Sequence, residues 1–332
     1  MSLAIDKAWR YQLLTYPNPA VGCTIVKDAK VLAVGVHKYA GGPHAEVNAL
    51  KDAFLSQNPN SPLKDIDESH TIHEYLKTNH NGFFNDTEVY VTLEPCNHMG
   101  KTPACAMLLE ELKPKKVYIS VLDPNAKASG GKQRLEKAGI EVEAGLLNKE
   151  GNDLLKPFTK WHKDKFSFFK IAMRRDGSVT GGYITSQDSL NLVHEIRTKI
   201  DLMVIGGNTV RTDRPTLDAR FAKNKKAPDI LIYTKQKQFD KDIKLFAIEN
   251  REVKIRDTLD IKDKNFVMIE GGLTLLEQLK DKVDMFMIFI SHKDENLNII
   301  DIQKDLGVKK LYFYMINKTD EVVFCERKSS IN

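Results

Sequence analysis

Apolar and polar positions alternate along the first half of the chain in two distinct rhythms. After an amphipathic stretch over residues 3 to 15, predicted as a helix, come the short apolar runs "VGCTIV" and "VLAVGV", parted by the turn-like "KDAK". Two such runs across a polar turn predict a hairpin. Beyond it, helical periodicity over 44 to 55, 104 to 112 and 131 to 138 interleaves with the strand-like runs "EVYVTL" (88 to 93), "KVYISV" and "IEVEAG". Helices alternating with strands predict an α/β layer fold. Residues 56 to 86 break the rhythm with Asn, Pro, Ser and Asp and read as a surface insertion holding one short helix near 68 to 78. His70, His73 and His80 in it are candidate ligands by type, but solvated loop histidines are the favoured reading.

A polar helical connector, "NKEGNDLLKPFTKWHKDK", follows residue 147, and a second set of elements begins at "FSFFKIAM". Strands are predicted near 166 to 172, 202 to 206, 229 to 234, 265 to 269, 284 to 290, 308 to 314 and 321 to 326, with helices near 186 to 198 and 272 to 280. The two halves show no internal repeat, so two α/β domains are expected, over 1–147 and 148–332.

Length supports that division: 332 residues, 42% of them hydrophobic, are enough for more than one core. The 50 basic and 45 acidic residues are dispersed, without the basic block that follows a phosphate backbone, so nucleic acid is not an expected partner. No apolar run approaches the roughly 18 residues of a membrane span, and Asp6, Lys7 and Arg10 sit where a signal peptide keeps its apolar core. A cytoplasmic protein is expected. Its four cysteines are too few for a disulfide scaffold, which turns attention to Cys96 and Cys105 as metal ligands.

Those cysteines lie in "LEPCNHMGKTPAC", about fifty positions after "GGPHAEVNAL". His44, Cys96 and Cys105 make three soft or borderline ligands that leave the fourth position of a tetrahedral zinc open, as catalytic sites do. Zinc at such a site lowers the pKa of a water from about 15.7 to about 7. Glu46, close by but not a ligand, is the candidate proton shuttle. Residues two apart on a helix lie about 200° apart around its axis, so His44 is required at the very start of a helix. Pro43 and the glycines before it fit such an entry. Pro95 before Cys96 reads as a second element start, where free backbone N–H groups favour a thiolate. His-x-Glu followed by Pro-Cys matches the zinc nucleobase deaminase signature, except that eight residues instead of two separate the cysteines.

That wide spacing is the form found in the family of bifunctional riboflavin-biosynthesis deaminase/reductases, which the chain resembles over nearly its whole length. "NPAVG", "HAEVNAL", "TLEPCNHMGKTPAC" and "DPN" match its deaminase, and "DGSVTGGYITS", "IGGNTVRTDRPTLDAR" and "IEGG" match its reductase, in the expected order. The resemblance implies a cytidine-deaminase-like α/β/α domain followed by a dihydrofolate-reductase-like α/β domain, with Zn2+ and NADPH as cofactors. It implies zinc on His44, Cys96 and Cys105 and proton transfer by Glu46. The implied substrate is 2,5-diamino-6-ribosylamino-4(3H)-pyrimidinone 5′-phosphate, a small phosphorylated pyrimidine that loses an exocyclic amine before its ribosyl group is reduced to ribityl. Asn18 is then expected against the pyrimidine, with His98, Lys101 and Asn125 on segments lining the pocket. In the reductase half the resemblance places cofactor contacts on Met173, Tyr183, Thr209, Asp213 and the turn from Gly272. It places substrate contacts on Arg197, Leu217, Arg220 and Glu270, where a guanidinium fork suits a phosphate. "EGG" between a strand and a helix suits cofactor phosphate. The family resemblance also implies a homodimer or larger.

The chain departs from the family pattern at Gly181, at Tyr183 where Trp is common, in a short loop from Asp176 to Tyr183, in "DPNAKASGGK" and in "FISHKDENLNIID". Two rivals to the bifunctional reading remain open to test. One is a deaminase of a nucleoside or tRNA with an inactive or unrelated C-terminal domain. The other is a zinc-stabilised module without catalysis, for which His98 is the nearest candidate fourth ligand.

Overall fold

In the computed structural model of the chain, residues 1–98, 100, 102–125, 128–180, 182 and 184–328 are described. They fold as two compact units, Met1–Thr159 and Lys160–Asn332. The first unit contains α1 (Ser2–Trp9), β1 (Gly22–Lys27), β2 (Lys30–Val36), α2 (Ala45–Gln57), α3 (Ser69–Asn79) and β3 (Thr87–Leu93), then α4 (Cys105–Leu112), β4 (Lys116–Val121), α5 (Gly131–Lys137) and β5 (Glu141–Ala144). A last helix, α6 (Asn148–Lys163), runs across the division. Its first turns belong with the first unit. Gln12 Nε2 donates to the Leu154 carbonyl at 2.6 Å and Asn148 Nδ2 to the Ser120 carbonyl at 3.0 Å, while a Cβ at Gly151 would sit 2.3 Å from Ser120 Oγ. The two compact units part inside the connector helix, at 159/160.

The first sheet has the order β2-β1-β3-β4-β5, with β1 antiparallel to both its neighbours and β3, β4 and β5 parallel. Two glycines fix how closely helices lie on it. A Cβ at Gly22 would stand 2.0 Å from the Ala4 carbonyl oxygen of α1, and one at Gly35 would stand 2.2 Å from the Ala49 nitrogen of α2. Gly22 pairs with Val36 and Cys23 with Gly35, so these successive pairs point to opposite faces. Helices α1 and α2 therefore cover opposite faces, giving α/β/α layers. The first helix ends at Trp9, earlier than periodicity predicts; Tyr11 and Gln12 continue it only as turns on Ala8 and Trp9, and Leu13 at φ 71° turns the chain away.

The insertion holds the expected helix, α3, with Glu68 capping it through hydrogen bonds from the His70 and Thr71 amides at 2.8 and 2.7 Å. It is not a loose surface excursion. Leu63, Ile72, Leu76 and Phe84 are buried, and α3 packs against α2 and α4. His70 is exposed, as expected, but His73 is buried, and burial lowers it to about 4. It is a core histidine in a segment whose polar composition concealed an apolar face.

The second unit contains β6 (Phe166–Arg174), α7 (Gln187–Arg197), β7 (Leu202–Gly206), α8 (Gly207–Asp213), β8 (Asp229–Tyr233), β9 (Val253–Arg256) and β10 (Phe266–Glu270). After these come α9 (Leu273–Leu279), β11 (Met285–Ser291), α10 (Ile302–Asp305), β12 (Val308–Met315) and β13 (Asp320–Arg327). Its sheet has the order β12-β13-β11-β6-β10-β7-β8-β9, parallel from β11 to β9 and closed by the antiparallel β13 and β12. The central parallel strands β10 and β11 are near-continuous Val, Ile, Phe and Met runs, as strands covered on both faces must be, whereas the edge strand β9 alternates. Sequence periodicity misses β9, α8 and α10, of 4, 7 and 4 residues, which are too short to show a period. The hairpin between β12 and β13 anchors α7. Asp320, fully buried, accepts the Ser186 amide, the Ser186 hydroxyl and the Ser189 hydroxyl at 2.6, 2.7 and 2.5 Å.

Because Phe84 is fully buried within the insertion, Phe84→Ala should destabilise the protein by about 3–5 kcal/mol. Urea denaturation of the full chain measures this; a change below about 0.5 kcal/mol would show the insertion to be a surface loop after all.

Candidate functional site

His44 is the N-cap residue of α2, with φ −69° and ψ 165°, and Glu46 lies in the first turn. This meets the geometric requirement on His-x-Glu: the extended residue turns the imidazole off the helix while Glu46 points from the helix itself. His44 Nδ1 is 3.5 Å from Cys96 Sγ and 3.3 Å from Cys105 Sγ, and the three ligand atoms lie within 4.8 Å of one another. Thr102 Oγ1 lies 3.3 Å from His44 Nε2; a metal taken by Nδ1 would leave the proton on Nε2, facing that hydroxyl.

No helix begins at Pro95, contrary to expectation. Cys96 follows β3 in a loop, and the amide that supports its sulfur belongs to Cys105, the first residue of α4, at 3.3 Å. The helix-start argument holds for the second cysteine and acts on the first. Hydrogen bonding from Cys105 and His44 pulls the Cys96 thiol well down against the effect of burial, while Cys105 is pushed up by its bond to Cys96 and by burial. One nitrogen and two sulfurs, one already biased to thiolate, fit zinc with one position left for water. Burial pushes the Glu46 carboxyl up to about 7, where it can both take and give a proton.

Sequence reading overlooked a histidine behind this site. His37, 3% exposed at the end of the β2 run, is held at about 4, chiefly by burial, and is neutral. Its Nδ1 lies 3.0 Å from the Pro43 carbonyl and must donate, so Nε2 accepts from Asn18 Nδ2 at 3.1 Å. That bond fixes which way the Asn18 amide faces and leaves Oδ1 for a ligand. A histidine closing an apolar strand was the available signal. Glu94 was also missed. It accepts the Asp123 amide at 3.0 Å and the Gly130 and Lys132 amides at 3.1 and 2.9 Å, tying down the loop that carries Asn125. His98 is exposed on the turn between Cys96 and Thr102; Lys101 and Tyr183 lie outside the described residues.

In the second unit, three expected residues converge. Arg197, at the end of α7, donates to Glu270 Oε2 at 2.9 Å and to the Asp218 carbonyl at 3.1 Å, beside Leu217. Leu217 adopts φ 55°, its carbonyl and that of Thr216 both held at 2.9 Å by Arg251. Glu270 ends β10, and its other oxygen accepts from Lys170 Nζ at 2.8 Å. Lys170 was not foreseen, although a lysine inside "FSFFKIAM" is conspicuous. Burial works to raise Glu270, but Lys170 and Arg197 overcome it and hold the carboxyl at about 2. Arg220 is exposed and pairs with Asp218 at 2.8 Å. Met173 is buried near the end of β6, Thr209 and Asp213 lie on α8, and Gly272 is the N-cap residue of α9. Met173 lies near the carboxyl end of its strand and the others follow parallel strands, at the carboxyl edge where open α/β sheets take ligands.

Fold and site together define a zinc-dependent deaminase of the cytidine deaminase type joined to a second, reductase domain. Residues 1–121 match the cytidine and deoxycytidylate deaminase zinc-binding region and residues 169–291 the RibD C-terminal domain. The chain is 30% identical to the riboflavin biosynthesis protein RibD of Aquifex aeolicus, over 98% of this chain and 97% of that one, and 34% identical to RibD of Actinobacillus pleuropneumoniae, over 96% and 76%. Among solved structures, it is similar to the diaminohydroxyphosphoribosylaminopyrimidine deaminase/5-amino-6-(5-phosphoribosylamino)uracil reductase of Thermotoga maritima, with 26% identity, a TM-score of 0.61, and 99% and 97% of the two chains covered. It is also similar to RibD of Acinetobacter baumannii, with 25% identity, a TM-score of 0.61, and 99% and 98% covered. The chain belongs to the RibD family of bifunctional riboflavin-biosynthesis enzymes, which carry a zinc deaminase and an NADPH-dependent reductase. Among the described residues no helix is long and apolar enough to cross a membrane.

Two outcomes test the geometry. His37→Ala should leave zinc content unchanged and raise the deaminase KM about tenfold, the effect of losing one orienting hydrogen bond. An unchanged KM would show that Asn18 needs no such support. Glu270, ordinarily near 4.5 and held at about 2 when folded, contributes stability that is complete above about 4.5 and is lost as pH falls towards about 2. Glu270→Gln should flatten that part of a stability profile against pH, and should also lower stability at neutral pH because Lys170 and Arg197 lose their counter-charge.

Proposed function

We propose that the first unit deaminates 2,5-diamino-6-ribosylamino-4(3H)-pyrimidinone 5′-phosphate and that the second reduces the ribosyl group of the product to ribityl. The observation that carries the reading is the convergence of His44, Cys96 and Cys105 within 4.8 Å with Glu46 buried in the adjoining first turn. Zinc held by these three would supply the Lewis acidity that makes water nucleophilic at neutral pH. Glu46 takes a proton from that water and returns it to the departing amine, which leaves as ammonia. Asn18, its amide fixed by His37, positions the pyrimidine edge. Lys101 and His98 on the cysteine loop, and Asn125 on the loop held by Glu94, are assigned to the rest of the pocket.

NADPH bound in the second unit would supply the hydride for the ribosyl C1′. As the C1′–O4′ bond breaks, O4′ leaves as a hydroxyl and needs one proton. Lys170, positioned by Glu270 at 2.8 Å, is the group we assign to deliver it. Arg197 orients Glu270 from the other side and is already committed to it, which leaves the exposed Arg220 freer to meet the substrate phosphate. Met173, Tyr183, Thr209, Asp213 and Gly272 are assigned to the cofactor and Leu217 to the substrate. The domain assignment is deaminase over 1–147 and reductase over 148–332, with α6 as the connector. Free cysteines that serve as zinc ligands suit the reducing cytoplasm, and a homodimer or larger assembly is the expected working state.

The test is a two-part assay on zinc-loaded protein, following ammonia release and then NADPH oxidation. Glu46→Gln should keep one zinc per chain, lose about 10²–10⁴-fold in ammonia release, and still oxidise NADPH when given the deaminated compound directly. Near-normal ammonia release by this variant would remove Glu46 from its role.

A further inference from the structure

We infer that Phe221 is the platform on which the pyrimidine ring of the substrate stacks in the second unit, beside the Arg220 guanidinium assigned to the substrate phosphate. The inference rests on the reductase reading above and adds to it the group that recognises the planar half of the substrate.

Both residues stand on one turn, 216 to 222, which is tied down along its length. Arg251 donates to the Thr216 and Leu217 carbonyls at 2.9 Å each, and Arg197 donates to the Asp218 carbonyl at 3.1 Å. The Ala222 amide closes the turn on the Ala219 carbonyl at 2.9 Å, and Glu195 Oε1 accepts the following amide, that of Lys223, at 3.0 Å. Leu217, Ala219 and Ala222 are buried, whereas Arg220 and Phe221 are exposed. The backbone thus holds a cation and an aromatic ring side by side at the surface. Asp218 takes the Arg220 Nε at 2.8 Å, which aims the fork and leaves its two terminal nitrogens without a partner among the described residues.

Single exposed apolar side chains are ordinary, so the 47% exposure of Phe221 decides nothing alone. What sets this ring apart is what lies behind it. Its centre is 4.6 Å from that of the His194 ring, at a tilt of 54°, and His194 Nε2 lies 3.3 Å from Arg197 Nη1, while Arg197 Nη2 donates to Glu270. Contacts therefore run from Glu270 through Arg197 and His194 to Phe221, and they join the ring to the cluster that positions Lys170. His194 is 5% exposed and held at about 4, chiefly by burial and then by the Arg197 charge, so the surface behind Phe221 is a neutral ring. The half-exposed Phe313 differs, since Lys310 Nζ covers it at 4.5 Å. Among the described residues Phe221 carries no such cation, and its exposed side is left for a planar ligand. The substrate assigned to this unit joins a phosphate to a flat pyrimidine through one sugar. An arginine fork suits the first and an aromatic face the second.

The test is reductase kinetics on the full, zinc-loaded protein, given the deaminated pyrimidine directly with NADPH in excess. Phe221→Ala should raise the KM for the pyrimidine about tenfold and hold kcat within about twofold, because stacking is made alike in the ground and transition states. Phe221→Tyr should bring the KM back to within about twofold of the wild type, and Phe221→Leu, which restores bulk without a ring, should recover less. Ribose 5-phosphate, which has the sugar and phosphate but no pyrimidine, is the second probe. Its inhibition constant should change by no more than about twofold in Phe221→Ala, a result that a damaged fold would not give. An unaltered KM in Phe221→Ala, or an equal loss for ribose 5-phosphate, would show that Phe221 is not the pyrimidine platform and would leave the reductase reading standing. If the wild type oxidises no NADPH with the deaminated pyrimidine, the reductase reading fails and this inference fails with it.

Discussion

Three ligand atoms drawn from residues as far as 61 positions apart must meet within 4.8 Å, and much of the first unit can be understood as the means of achieving this. His44 must leave the helix axis at the N-cap of α2, Cys105 must open α4, and Cys96 must reach them from the end of β3. Close helix packing at Gly22 and Gly35 sets the helix positions relative to the sheet to within the space of a missing Cβ. The ligands are then oriented from behind. Thr102 fixes the His44 ring, and the Cys105 amide steadies the Cys96 sulfur. Such outer contacts decide the tautomer and charge of the ligands as firmly as a metal does.

The second unit solves a different electrostatic problem. A buried carboxylate, Glu270, is stable only because Lys170 and Arg197 each take one oxygen, and Arg197 is itself held by the Asp218 carbonyl. The cluster joins β6, β10, α7 and the loop through Leu217. Asp320 fastens the other end of α7 by three hydrogen bonds, so the helix that carries Arg197 is fixed at both ends. Charge that is costly to bury is thereby placed at the carboxyl edge of the parallel strands, where chemistry needs it.

Much of this was legible in the chain. The alternation of strands and helices gave both α/β units, and the His-x-Glu and Pro-Cys pattern singled out the candidate metal ligands, which the fold brings within 4.8 Å of one another, and the candidate proton carrier. The polar composition of residues 56 to 86 misled, because Leu63, Ile72, Leu76 and Phe84 are spaced to bury one face of a segment that is otherwise solvated. The short elements β9, α8 and α10 escaped, since runs of 4 to 7 residues span about two periods of a strand or helix pattern at most.

What the sequence determined by itself is therefore chemistry that depends on residue type and local spacing: candidate zinc ligands, a candidate shuttle carboxylate, a helix start at His44. What the tertiary structure alone decided are pairings between distant residues. The Asn18 amide is oriented by His37, 19 positions away, and Lys170 is joined to Glu270 across 100 positions. Neither pairing leaves a periodic trace, since hydrogen bonds between neighbouring strands and loops depend on topology and register, and those are fixed only when the whole sheet is assembled.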